Sequence, residues 1–183
     1  FGTLISYAKK HYNQKILGYD INEKAKSVLK EKNIEYINTL DGMTENFNSI
    51  ISSNVLEHIK EDEKILNQLN QLLKKDGTLV LYLPHSMKVW SDLDSLVGHH
   101  RRYTKKDLHT KLIKNNFEII STEYVDSIGW IVLFLAKISK INLKYDVDRL
   151  IFYDKYIFRY LKSLDIIFKY FFGKNILVVA KRN

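Results

Sequence analysis

Two stretches of this 183-residue chain place residues able to bind a ligand at the ends of apolar runs. Asp20 closes the short stretch Lys15 to Tyr19, 18 residues after Gly2. An acidic residue at about that distance from a glycine turn is suited to a ribose, because its two carboxylate oxygens can accept both protons of a vicinal diol. Asp20 has a plainer use as well, as a helix N-terminal residue that favours the macrodipole, and the spacing leaves both open. The second stretch is Phe47 to Ile59, Phe-Asn-Ser-Ile-Ile-Ser-Ser-Asn-Val-Leu-Glu-His-Ile. It begins as an apolar run bounded by polar residues, the pattern of a buried strand. It continues at helical spacing through Leu56, Ile59, Ile65, Leu66, Leu69, Leu72 and Leu73. Strand hands over to helix at Ser53 and Asn54. Ligands of open α/β sheets bind at the carboxyl ends of strands, so these small polar residues would leave room for one and offer it hydroxyl, amide and N–H groups.

The elements that must position these residues alternate along the chain. Thr3 to Tyr12 reads as a helix, Lys15 to Tyr19 as a strand, and Asn22 as the cap of a second helix through Val28 and Leu29. Ile34 to Ile37 is strand-like. After the strand at about 48–53 and its helix at about 55–74, a Lys75-Asp76-Gly77 turn leads into the apolar strand 78–83. Pro84, the only proline, stops that strand and opens an aperiodic region from His85 to Val97. Thr104 then caps a helix with Asp107 three positions on, and Phe117 to Tyr124 and Asn175 to Lys181 are further strands. Strands separated by helices of this length predict βαβ units and a mainly parallel sheet.

The last two strands flank an aromatic-rich insert, residues 126–172. Its apolar run Ile128 to Ala136 is far below the ~20 residues that a bilayer span needs. Leu150 to Phe172 has the pattern of a basic amphipathic helix, which suits a membrane surface, a helical cap over the sheet or a homodimer contact.

Composition adds outer limits. With 45% hydrophobic residues the chain can bury one good core, so one domain is expected. The absence of Cys excludes disulfides and cysteine-based zinc sites and favours a reducing, cytoplasmic location; separately, no metal site is expected. A net charge of +8 would concentrate anionic partners, although the lysines are spread over most helices. The start at Phe1-Gly2-Thr3-Leu4, without Met, reads as a fragment.

Several motifs together carry a resemblance over nearly the whole chain. Phe1-Gly2-Thr3-Leu4 resembles the tail of the glycine-rich turn of Rossmann-like, class I S-adenosylmethionine-dependent methyltransferases. Gly18-Tyr19-Asp20-Ile21 is similar to their ribose-binding strand end, and Phe47 to Ile59 to their fourth strand, with Val55-Leu56-Glu57-His58-Ile59 the most specific piece. Gly98 to Leu108, Gly-His-His-Arg-Arg-Tyr-Thr-Lys-Lys-Asp-Leu, resembles a signature of small-molecule and glycan-associated members. Gly173 to Lys181 resembles their closing strand. Asn48 stands where the family usually has Asp, and the first strand and most of the glycine turn are not matched.

The resemblance implies an α/β, doubly wound, mainly parallel sheet with its last strand antiparallel, in one domain carrying the helical insert. It implies S-adenosylmethionine as cofactor, with Gly2 near its methionine part, Asp20 on the ribose and Ile21 against the adenine. Asp41 would hold the adenine amino group, with Asn38 a rival, and Ser53 and Asn54 would line the methionine end. His58 would touch ligand or hold its helix to the neighbouring loop. Methyl transfer needs an aligned nucleophile and, for a hydroxyl or protonated amine, a base. His99 and His100 are the candidates for that base, with Arg101 and Arg102 clamping a carboxylate or phosphate of the acceptor and Tyr103 beside them. The alternative is that this segment, with His85 and Trp90, packs as a lid in which Arg101 or Arg102 bonds loop carbonyls. No motif of the Asn-Pro-Pro-Tyr type used on nucleic-acid amines occurs, so a small-molecule, lipid-linked or glycan acceptor is expected. A non-catalytic or membrane-surface module on a degenerate version of the fold is the competing reading.

Overall fold

The computed structural model describes residues 2–12, 15–20, 23–44, 46–139, 155–156 and 166–183. The chain divides into two compact units, Phe1–Thr44 and Glu45–Asn183.

In the first unit, α1 (Thr3–His11), β1 (Leu17–Tyr19), α2 (Glu23–Glu31) and β2 (Glu35–Ile37) form one βαβ turn preceded by a helix. β1 and β2 pair in parallel. Ala25, Leu29 and Ile34 are buried together, with Ile5 and Tyr36 packed against them. Gly2 precedes α1 with φ +73, where a Cβ would come within 2.9 Å of Leu29 Cδ2. Both facts call for glycine there. Asn33, at φ 52, ends α2 in the left-handed conformation that Asn tolerates, and Ile34 N–H donates back to Leu29 O at 2.9 Å.

The second unit is built on a mixed four-stranded sheet in the order β3-β4-β6-β5. Its strands are β3 (Phe47–Ser53), β4 (Leu73–Pro84), β5 (Phe117–Val125) and β6 (Asn175–Arg182). β3 and β4 are parallel, whereas β6 runs antiparallel to both β4 and β5. The register pairs Leu79 with Ala180, Leu81 with Val178 and Leu83 with Ile176. All six side chains are fully buried. The period-2 alternation of β4 thus builds one dry face of the sheet, while Thr78, Val80 and Tyr82 on the other face are half-buried. α3 (Asp62–Leu72) packs on β4 and on α5 (Lys105–Lys114), contributing Leu66, Leu69 and Leu72 to the core beside Leu108 and Leu112.

Local differences from the sequence pattern have physical causes. The helix expected over 55–74 is split into a 3-10 turn at Leu56–His58 and α3 at Asp62–Leu72. The Glu57 carbonyl is taken by His100 N–H at 2.8 Å, so no continuous helix forms through it. The Lys75-Asp76-Gly77 turn becomes an irregularity inside β4, with Asp76 at φ 64 and a shift of register between Phe47 and Ser49. The aperiodic region after Pro84 contains a 3-10 turn at Met87–Val89 and the short helix α4 (Asp92–Leu96). Within the insert, α6 (Ser127–Ile138) is capped by Asp126, whose carboxylate accepts from Gly129 N–H at 2.8 Å. Most of the helix expected over Leu150 to Phe172 lies outside the described residues. Among the described residues no helix is long and apolar enough to cross a membrane.

Candidate active site

In the first unit Asp20 follows the last residue of β1. Its N–H donates to Ile37 O at 3.3 Å and its carbonyl accepts from the Tyr36 hydroxyl at 2.6 Å. These two bonds fix where the carboxyl end of β1 points. Asp41 is exposed in the loop after β2, its N–H donating to Thr39 Oγ1 at 3.0 Å. Burial, followed by the charges of Asp41 and Asp20, raises the pKa of the Tyr19 phenol. Both carboxylates expected to contact cofactor therefore lie near one tyrosine. Ile21 is outside the described residues.

In the second unit Ser53 is the last residue of β3, and Asn54 turns the chain at φ 52 while its N–H donates to Tyr82 O at 2.9 Å. Both are exposed. The segment 98–103 is fastened to the carboxyl ends of these same strands. Tyr103 N–H donates to Pro84 O, and Ser86 N–H to Tyr103 O, each at 2.9 Å, forming a bridge beyond the end of β4. His100 N–H reaches the turn after β3 through Glu57 O. Within the second unit the ends of β3 and β4 and the segment 98–103 are thus brought together.

Asp94 organises the loop. Its carboxylate accepts a fork from Arg102, Nε at 2.8 Å and Nη2 at 3.0 Å, together with Ser91 N–H at 2.9 Å and His99 Nδ1 at 2.8 Å. Burial alone would raise its pKa, but the bonds from Arg102 and Ser91, the Arg102 charge and the His99 bond outweigh it and leave the pKa lowered. An ionised carboxylate only accepts, so His99 carries its proton on Nδ1 and leaves the Nε2 lone pair open. Nε2 lies 3.7 Å from Glu57 Oε1. Glu57 is fully buried, and neither of its carboxylate oxygens has a hydrogen-bond partner among the described residues. The His58 ring meets the His99 ring edge-on at 4.7 Å between centroids.

A second buried carboxylate supports the loop from below. Asp62 accepts from the Tyr103 hydroxyl at 2.8 Å and from Lys111 Nζ at 2.6 Å, and pairs with Arg101 Nη1 at 2.8 Å. Burial raises its pKa, yet the bonds from Lys111 and Tyr103 and the two cationic charges bring it down overall.

Among the residues expected on the acceptor side, His100 is exposed and His99 half-buried. Arg101 donates to Lys60 O at 2.7 Å and Arg102 to His85 O at 3.3 Å, the loop-carbonyl bonds of the lid alternative. Tyr103 is 1% exposed, so it sits beneath the loop and not on its surface. His85 donates through Nδ1 to Gly173 O at 2.8 Å. Asp62 and Asp94 escaped the sequence reading. Asp94, three residues after Ser91, was the available signal, since that spacing commonly starts a helix.

A family model described as a methyltransferase domain matches residues 2–122. No curated protein matches the chain. Among solved structures, an S-adenosylmethionine-dependent methyltransferase from Mesorhizobium loti is similar at 18% identity and a TM-score of 0.65, over 99% of this chain and 86% of that one. A SAM-dependent methyltransferase from Archaeoglobus fulgidus aligns at 15% identity and a TM-score of 0.65, over 99% and 81%. Phosphoethanolamine N-methyltransferase 2 of Haemonchus contortus, solved with S-adenosyl-L-methionine, aligns at 16% identity and a TM-score of 0.59, over 97% of this chain and 45% of that one. At these identities the likeness is one of fold.

Proposed function

Because the chain belongs to the methyltransferase-domain family, we propose that it moves a methyl group from S-adenosylmethionine to oxygen or nitrogen of a small-molecule, lipid-linked or glycan acceptor. The cofactor, when bound, supplies a methyl group on a sulfonium, already activated for displacement. The residues present suit it: Asp20 stands at a strand end with its backbone fixed by Tyr36 and Ile37, and Asp41 lies near the same Tyr19. Asp20 holds the ribose hydroxyls and Asp41 the adenine amino group, while Ser53 and Asn54 offer polar groups at the end of β3.

The observation that carries the acceptor side is the fastening of segment 98–103 to the ends of both β3 and β4. An acceptor must reach the methyl group at such strand ends, and a fixed loop reduces the freedom lost in aligning it. His100, exposed on that loop, takes the proton of a hydroxyl or ammonium acceptor, and the ring of the half-buried His99 is oriented by Asp94. Arg101, Arg102 and Tyr103 position the loop through Lys60, Asp94 and Asp62.

Transfer of labelled methyl from S-adenosylmethionine to a panel of hydroxylated and aminated small molecules, lipid-linked sugars and glycans tests this reading with full-length protein. His100→Ala should lower turnover by roughly 10²- to 10⁴-fold, the usual contribution of a general base. Cofactor affinity should stay within about twofold, since an interaction with one ligand need not alter binding of the other. A variant that loses cofactor affinity in step with its melting temperature would make the segment structural only.

A further inference from the structure

The ligand atoms of Glu57, His58 and His99 all lie within 4.8 Å of one another. We infer that these three side chains bind a divalent transition-metal ion of the zinc class. The carboxylate carries the argument. Glu57 is fully buried, and neither of its oxygens is hydrogen-bonded among the described residues. A buried ionised carboxylate without partners is costly, and folded chains relieve that cost with a proton, by pairing or by metal coordination.

His99 is prepared for the same ion. Its Nδ1–H is held by Asp94, which Arg102 and Ser91 fix in turn, so Nε2 presents its lone pair on the side of Glu57. A carboxylate behind a histidine in this way sets the tautomer and orientation of metal-binding imidazoles and raises their basicity. The 3.7 Å between Nε2 and Glu57 Oε1 is too long for a hydrogen bond. It is close to the separation of about 3.3 Å between two ligands that share a tetrahedral ion at bonds of ~2.0–2.1 Å. His58 is exposed and its ring already meets that of His99, so rotation of its side chain completes the set.

Two imidazoles and one carboxylate form a donor set for Zn²⁺ that leaves a coordination position open, and Co²⁺ and Mn²⁺ suit it as well. The lack of cysteine excludes only thiolate sites, so the sequence-level expectation of no metal does not reach this nitrogen and oxygen set. The inference rests on the geometry of the second unit and not on methyl transfer. With metal bound, His99 Nε2 is a ligand and proton acceptance falls to His100.

The test is titration of chelator-stripped full-length protein with Co²⁺, read by its visible d–d bands, followed by competition with Zn²⁺. One Co²⁺ per chain should bind and be displaced by Zn²⁺. His58→Ala, at an exposed position that leaves the fold intact, should weaken binding at least tenfold, and Glu57→Gln should do the same, while His109→Ala should match the parent chain. Absence of stoichiometric uptake would overturn the assignment, as would uptake that His58→Ala leaves unchanged.

Discussion

Glu57 shows how one buried group ties the site to stability. Burial, with a smaller contribution from the nearby Asp94, raises its pKa from 4.5 to about 7 against the opposing dipole of its own backbone N–H and the Arg102 charge. Between those two values the folded chain keeps a proton that the unfolded chain has released. The Glu57 contribution to unfolding free energy therefore falls as pH rises through the window and stays low above it. The gap corresponds to roughly 3 kcal/mol. Burial also lowers the pKa of His85, His99 and His109, which gives the opposite slope, because the unfolded chain takes up protons there that the folded chain excludes. Comparison with Glu57→Gln isolates the carboxyl. Urea unfolding in chelator at several pH values should show the variant gaining roughly 3 kcal/mol on the parent between pH ~4.5 and ~8; a constant difference would show that Glu57 is ionised throughout. Residue types announced His99 and His100 in the sequence. The carboxylates that hold this loop, Asp94 through His99 and Arg102 and Asp62 through Arg101, Tyr103 and Lys111, were not legible as such, because these partners lie 5 to 49 positions away and only the folded loop brings them together.

Among the elements, β4 and β6 hold the second unit together. Leu81 faces Val178 in the centre of that ladder, and both are fully buried. Leu81→Ala removes buried methyl groups from a position flanked on both sides and should cost about 2–5 kcal/mol, read from the urea midpoint. A loss below ~1 kcal/mol would mean that the dry face of the sheet is looser than its burial implies. Strands such as β4 and β6 were legible because long apolar runs between turn residues have few alternatives. Thr104 was legible for a similar reason: its hydroxyl accepts from Asp107 N–H at 3.2 Å, a local bond that local sequence specifies. The break between the turn at Leu56–His58 and α3 was not, since the apolar spacing continues across it and the competing bond comes from His100, far along the chain.

For the molecule as a whole, an α/β fold with a mixed sheet and an antiparallel final strand fits the resemblance that the strand-end motifs carry. The net charge of +8 is distributed, and many of the cations are committed to named carboxylates, Arg102 to Asp94, Lys111 to Asp62, Lys169 to Glu123 and Lys174 to Asp126 among them. The charge total is therefore a poor guide to partners, whereas the strand ends speak to function. Everything proposed about catalysis depends on S-adenosylmethionine binding through Asp20. Calorimetric titration of the cofactor into full-length protein, as the parent chain and as Asp20→Ala of equal melting temperature, addresses that dependence directly. The substitution removes two charge-assisted hydrogen bonds worth ~1.5 to 3 kcal/mol each, so affinity should drop at least about tenfold. Unchanged binding by a folded Asp20→Ala chain would contradict the account.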